Sequence, residues 1–166
     1  MKKREVITVP NPKLQEVTEK VTSFESEIKE QIKIMTQTLR KEGGIGLAAN
    51  QVGYNNQVIV AELRDEVNKK QIPLSVFINP KIVEYSQEKE CLEEGCLSVP
   101  KIELDLTRPA KIKLKFQDNK GRKRKFAPRG LLARILQHEI DHLNGILFID
   151  KAKNLMEIKP DKDVKK

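Results

Sequence analysis

Residues 138–142 read His-Glu-Ile-Asp-His. Two imidazoles four residues apart share one face of an α-helix and can grip a single metal ion. The glutamate between them sits beside the ion, where it can take a proton from an activated water, the arrangement used in metal-assisted hydrolysis. This demands a helix, and one that is largely buried. The chain has only these two histidines, so the third ligand must be another residue type.

The flanking residues agree with a helix. Pro128-Arg129-Gly130 breaks the chain before the motif, and Asn144-Gly145 is a stop signal after it. Leu131, Ile135, His138 and His142 fall at i, i+4, i+7 and i+11, one continuous stripe. Leu132, Leu136, Ile140 and Leu143 form a second stripe beside it. A helix this apolar around its girth belongs inside the molecule.

A chain of 166 residues is read as one domain, residues 1–166, with a short polar tail over about 150–166. Tryptophan is absent and aromatics make up 4%, so the core has to rest on Ile, Leu and Val. Charged residues make up 34% and the net charge is +8. Such a surplus suits a polyanionic neighbour such as RNA, but the charges are spread out, which favours a solvated, lysine-rich surface. Only Arg122-Lys123-Arg124-Lys125 and the lysine-rich tail are dense. No aromatics interleave to stack bases, so sequence-specific nucleic-acid binding is not expected. The basic start, Met1 to Arg4, leads into no apolar run, and no window reaches membrane-spanning length. The expectation is a cytoplasmic protein without a membrane partner. Cys91 and Cys96 in such a chain point to thiol or metal chemistry before a disulfide.

Along the chain, Glu5 to Val9 reads as a short strand stopped by Pro10-Asn11-Pro12. From about Ser23, apolar residues Ile28, Ile32, Met35 and Leu39 recur with helical spacing until Gly43-Gly44. Val58-Ile59-Val60 and Val76-Phe77-Ile78 read as strands, and Asn79-Pro80 as a turn before Ile82-Val83. Ile102, Leu104 and Leu106, then Ile112, Leu114 and Phe116, alternate with polar neighbours as half-buried antiparallel strands do. Asp118 to Gly121 reads as a hairpin turn. The predicted class is α+β, with antiparallel or mixed sheets wrapped around a central, mostly buried helix that carries the metal motif. The stretch Lys159 to Lys166 reads as frayed.

Two segments bear on the site. Gly44-Ile45-Gly46-Leu47-Ala48-Ala49-Asn50-Gln51 is glycine-rich and lets the backbone approach a ligand closely, but lacks the lysine of a phosphate loop. In Glu94-Gly95-Cys96-Leu97-Ser98, a thiolate could serve as a ligand for zinc or iron(II). Cys91 is the rival. Its five-residue offset places it on the opposite face of an unbroken strand, so the two would not bind together.

Together with Gln137 to His142, these segments resemble the peptide deformylase family, whose motifs G-x-G-L-A-A-x-Q, E-G-C-L-S and Q-H-E-x-D-H occur here in that order without a departure. The resemblance implies Cys96, His138 and His142 as metal ligands with a water in the fourth position. It implies Glu139 as general base and acid, and Gln51 (side-chain amide) and Leu97 (backbone N–H) as oxyanion donors. It implies iron(II) as the native ion, with zinc, nickel or cobalt able to occupy purified protein. The substrate is then the N-formylmethionyl end of a new polypeptide, with contact to the ribosome open. Gly44, Ile45 and Gly46 would meet the peptide, and Leu131 and Ile135 would line the methionine pocket. Glu94, Gln137, Asp141 and Arg108 would support the ligands from behind, with Arg108 neutralising a carboxylate. Two positions depart from many bacterial relatives: Gln15 follows Leu14 where arginine is frequent, and Glu103 stands seven residues after Cys96 where arginine is also frequent. A zincin-like protease would share the helix but would usually add a histidine or glutamate ligand. A basic RNA-binding module with a structural metal would be expected to fill four protein ligands.

Overall fold

The computed structural model describes residues 4–67 and 69–152. Seven strands and three α-helices follow one another: α1 (Ser26–Glu42), β1 (Gly46–Ala48), β2 (Val58–Asp65), β3 (Lys70–Tyr85), β4 (Lys89–Cys96), β5 (Val99–Pro109), β6 (Ile112–Gln117), β7 (Lys123–Phe126), α2 (Gly130–Leu143) and α3 (Phe148–Ala152). The class is α+β. Five strands form one antiparallel sheet in the order β1-β2-β3-β6-β7, and β4 and β5 pair as a separate two-stranded ribbon.

Three apolar clusters hold the layers together. Ile28, Met35 and Leu39 of α1 pack on Val58, Val60 and Ile78, one face of the sheet. Ala133, Ile135, Leu136 and Leu143 of α2 pack on Ile59, Ala61, Phe77, Ile112 and Leu114, the other face. The period of two in β2 therefore feeds two helices, and its first five residues are all buried. Each fully buried Leu or Ile contributes ~1.5–3 kcal/mol relative to exposure. The third cluster joins Val99, Leu104 and Leu106 of the ribbon to Phe148 and Ala152 of α3.

Helix α2 ends where Gly145 adopts φ 72°. A Cβ there would strike the Gln15 carbonyl, so this stop signal also makes room for the N-terminal segment. No helix among the described residues is long and apolar enough to cross a membrane.

Two expectations change. Glu5 to Val9 joins no ladder. Ile7 N–H donates to Gln51 O (2.7 Å) and Val9 N–H to Ser98 O (2.9 Å), so the segment straps a short 3₁₀ helix, Ala49–Val52, and the β4–β5 turn instead of pairing with one strand. Asn79-Pro80 is no turn. β3 runs through it, with a register shift between Ile78 and Lys81 and Asn79 at φ 51°. The Asn79 side chain accepts from Val21 N–H and donates to Val21 O and Gln117 Oε1, which holds a β-bulge. Helix α3 reaches Ala152 and buries it. Lys153–Lys166, with the frayed stretch expected at its end, lies outside the described residues.

Candidate active site and metal centre

Two pieces of the fold meet at one point. Helix α2 carries His138, Glu139 and His142, all buried, and the end of β4 carries Cys96. One ligand atom from each of Cys96, His138 and His142 lies within 4.8 Å of the others. That is close to the span one ion bridges with bonds of about 2.0–2.3 Å. Cys96 Sγ is 3.1 Å from His142 Nε2. Cys91 is exposed and stands outside this group.

The surroundings orient the ligands. His138 Nδ1 lies 3.0 Å from Glu94 Oε1, which leaves the other ring nitrogen for a cation, as carboxylate–histidine–metal arrangements do. Glu94 is itself held by Arg108, through Nε at 2.6 Å and Nη2 at 2.9 Å, and by Arg134 Nη1 at 2.6 Å. Arg108 also donates to Asp141 at 2.9 Å, and Lys151 reaches the same carboxylate at 3.0 Å. Gln137 turns away from the ligands and donates to the Pro109 and Ala133 carbonyls, tying α2 to β5.

The electrostatics fit a cation. Burial lowers the His138 pKa, but hydrogen bonds to Cys96 and Glu94 outweigh it and push the ring up to about 10. Burial, then the neighbouring His138 charge, holds His142 well below its ordinary value. Such ligands bind metal deprotonated, so a divalent ion here would replace the proton held on His138. Burial raises Glu139 to about 7, with Glu94 adding to the rise and His138 opposing it. Glu139 Oε2 is buried without a hydrogen-bond partner among the described residues.

Gln51 is buried beside this cluster at 1% exposure. Its Oε1 accepts from Ala48 N–H at 2.8 Å, so its amide nitrogen must face the other way, 3.1 Å from Ser98 Oγ and 3.7 Å from Cys96 Sγ. A cleft of about 890 Å³ opens here. Gly44, Ile45, Gly46, Gln51, Cys96, Leu97, Leu131, Ile135, His138 and Glu139 line it, with exposed Glu93, Lys101 and Glu103. A Cβ on Gly46 would come within 2.6 Å of Glu139 Oε1 and 2.7 Å of Ile135 Cγ2, so only glycine lets β1 approach the catalytic helix this closely.

Arg134 also lines the cleft, and the sequence reading passed over it. It donates to Glu94 (2.6 Å), Leu106 O (3.0 Å) and Glu90 O (2.6 Å). A lone arginine in an apolar buried helix was the available signal, because arginine is almost never buried without a partner.

The family profile described as polypeptide deformylase matches residues 3–157. The chain belongs to this family. A peptide deformylase of Rhizobium meliloti is 43% identical over 150 residues, 90% of this chain and 85% of that one. One from Prochlorococcus marinus is 41% identical over 90% of this chain and 73% of its own. Among solved structures, a probable peptide deformylase from Synechococcus phage S-SSM7 superposes with a TM-score of 0.82 at 40% identity, covering 89% of this chain and 98% of that one. The Met-Ala-Ser-bound class I type b enzyme of Acinetobacter baumannii gives 0.85 at 31% identity, covering 90% and 98%. The family consists of metal-dependent hydrolases that remove the N-formyl group from nascent peptides.

Proposed function

We propose that Glu139, Gln51 and Leu97 carry out the family's reaction here: hydrolysis of the N-formyl group of an N-terminal formylmethionine, releasing formate and a free amine. Cys96, His138 and His142 would hold one divalent ion. Iron(II) is the native choice by family resemblance, and zinc, nickel and cobalt suit the same donors. The bound ion supplies Lewis acidity, lowering the pKa of water and polarising the formyl oxygen.

The chain's own groups do the rest. Glu139 takes the proton of the attacking water and returns it to the departing amine, a role that favours a pKa near 7. The oxygen of the tetrahedral intermediate gains a full charge only on attack. Gln51 Nε2, aimed by the Ala48 N–H on its oxygen, and the Leu97 backbone N–H face that charge. Donors of this kind are worth ~3 kcal/mol each. Ile45, Leu131, Ile135 and the His138 ring form the methionine pocket. β1 is an edge strand, so Gly44, Ile45 and Gly46 can accept the peptide as an added strand. The formylated end of a chain leaving the ribosome is the substrate, in the cytoplasm.

The observation that carries this reading is the meeting of three metal donors beside a cleft lined by Glu139, whose Oε2 has no hydrogen-bond partner among the described residues. Glu139→Gln tests it. Turnover of formyl-Met-Ala-Ser, measured without oxygen, should fall at least ~100-fold in kcat, while elemental analysis shows the metal retained. Wild-type turnover in that variant would reduce Glu139 to a structural residue.

A further inference from the structure

The two oxyanion donors come from separate pieces of the fold. Gln51 sits on the 3₁₀ helix Ala49–Val52, which follows β1 of the large sheet. Leu97 sits in the turn between β4 and β5, and that ribbon pairs with no strand of the large sheet. Contacts other than a ladder therefore set the distance between the donors. The N-terminal strap is one of them. Ile7 N–H donates to Gln51 O, and Val9 N–H donates to Ser98 O, next to Leu97. The Val6 side chain packs with the α1 cluster and the Val9 side chain with the ribbon cluster, so the strap is anchored on both sides of the gap it spans.

Ser98 supplies a second link. It is fully buried, and its Oγ accepts from Gln51 Nε2 at 3.1 Å. A primary amide offers one oxygen and two N–H groups. The Gln51 oxygen is held by Ala48 N–H, and one of its N–H groups by Ser98 Oγ. The other N–H is left on the side of Cys96, whose Sγ lies 3.7 Å from Nε2. A long glutamine side chain without such ties spreads over several rotamers, and its donor would have to be gathered during the reaction. Tied at two of its three polar points, the amide has its remaining N–H aimed before substrate arrives. A donor fixed in advance stabilises developing charge without a cost of reorganisation.

We propose that Ser98 is a positioning residue for the hydrolysis: its hydroxyl turns the free Gln51 N–H toward the reacting oxygen, and the strap, through Val9 N–H, keeps Ser98 in reach of Gln51. The role in hydrolysis rests on the deformylase reading; the clamp on Gln51 does not. Ser98 is not among the residues that line the cleft, so it acts through Gln51. If Ser98 served only to hold the β4–β5 turn, its loss would disturb Leu97 and Cys96 equally with or without the Gln51 amide. That difference makes the two roles separable.

The test is a double-mutant cycle on the metal-loaded protein: wild type, Ser98→Ala, Gln51→Leu and the pair together, turning over formyl-Met-Ala-Ser without oxygen. Ser98→Ala should lower kcat by ~10-fold or more, with KM changed by less than about threefold. In the Gln51→Leu background the same change should move kcat by less than about twofold. Equal losses in both backgrounds would overturn the proposal. The strap is probed by an ester in place of the Thr8–Val9 peptide bond, which removes the Val9 N–H and keeps every side chain. Its kcat should fall by about 2–10-fold, the range expected for one hydrogen bond; a wild-type kcat would overturn the part given to the strap. A further readout needs no turnover. NMR relaxation of the Gln51 side-chain amide in zinc-loaded protein should show a rigid group in wild type and a mobile one in Ser98→Ala. Equal rigidity in both would overturn the clamp itself. If the amide loosens as expected while wild type turns over no substrate, the deformylase reading falls and the clamp stands.

Discussion

Like Glu62 with Arg40 and Arg64, both Glu94 and Asp118 are gripped by two arginines, and the contrast between these last two is instructive. Glu94 lies under the cleft between Arg108 and Arg134, with side chains 6%, 4% and 7% exposed. Asp118 sits at the tip of the β6–β7 hairpin between Arg122 and Arg124, at 17%, 59% and 48%. The chemistry is the same and the surroundings differ. At the hairpin, three residues within seven positions of the chain share charge at the surface, where each pair gains little. Under the cleft, the charges come from β4, β5 and α2 and have lost most of their hydration, so each must be compensated in full. The buried cluster thus locks the ribbon that carries Cys96 onto the helix that carries the histidines, and it continues into the His138 ring. The same residue types make a local turn in one place and the frame of a metal site in the other.

The sharpest way to break the comparison is to make one chemical change, carboxylate to amide, at each centre. Glu94→Gln leaves the buried Arg134 guanidinium without a negative partner, leaves Arg108 only Asp141, and takes the ionic acceptor from His138 Nδ1. The expected loss is ~3–5 kcal/mol in unfolding free energy, read from urea denaturation of the metal-loaded protein. The variant should also lose its metal ~10–100-fold more easily, the usual cost of removing a partner behind a ligating histidine. Wild-type stability and metal retention would show that Glu94 is a spectator.

Arg134→Met should come second. Arg108 still holds Glu94 through two hydrogen bonds, so the carboxylate keeps a partner. The buried Leu106 carbonyl and the part-buried Glu90 carbonyl each lose a donor, and an unsatisfied buried group such as the first costs ~1–3 kcal/mol. The ribbon should loosen on α2, so amide exchange along β4 and β5 should accelerate more than along β2. Uniform acceleration through both sheets would show a global loss and no clasp.

How much of this was legible in the sequence varied by element. Helix α2 was plain because motif, stripes and stop signals coincide, and β5 and β6 because polar and apolar residues alternate. The ligand set became readable only through the order of three motifs, since spacing alone left Cys91 and Cys96 both open. Glu5 to Val9 misled because an apolar strap and a short strand share one local pattern; only the partners tell them apart. Asn79-Pro80 misled because what makes it a bulge is Val21, 58 residues away. The pairings of Glu94 with Arg134 and of Gln51 with Ser98 are properties of register and docking, which one-dimensional spacing does not contain.

Asp118→Asn should have the smallest effect. The Asp118 carboxylate accepts from Lys120 N–H at 2.9 Å and from Arg122 N–H at 3.0 Å through the same Oδ1. An asparagine oxygen can keep both bonds and hold the turn. What is lost is charge, and here two exposed arginines are screened by water and salt. Burial works against ionisation of Asp118, but these N–H groups and the arginines outweigh it and hold its pKa below the ordinary carboxylate range. A depressed pKa stabilises the fold above the unfolded-state value, and that contribution is lost as pH falls through the folded-state value. Any wild-type advantage over Asp118→Asn should therefore be present at neutral pH, shrink in acid and shrink in high salt, with melting temperatures differing by no more than ~2 °C. Asp118→Ala removes the backbone acceptor as well and should melt below Asp118→Asn. If the asparagine variant instead fell as far as Glu94→Gln, burial would not be what separates the two centres.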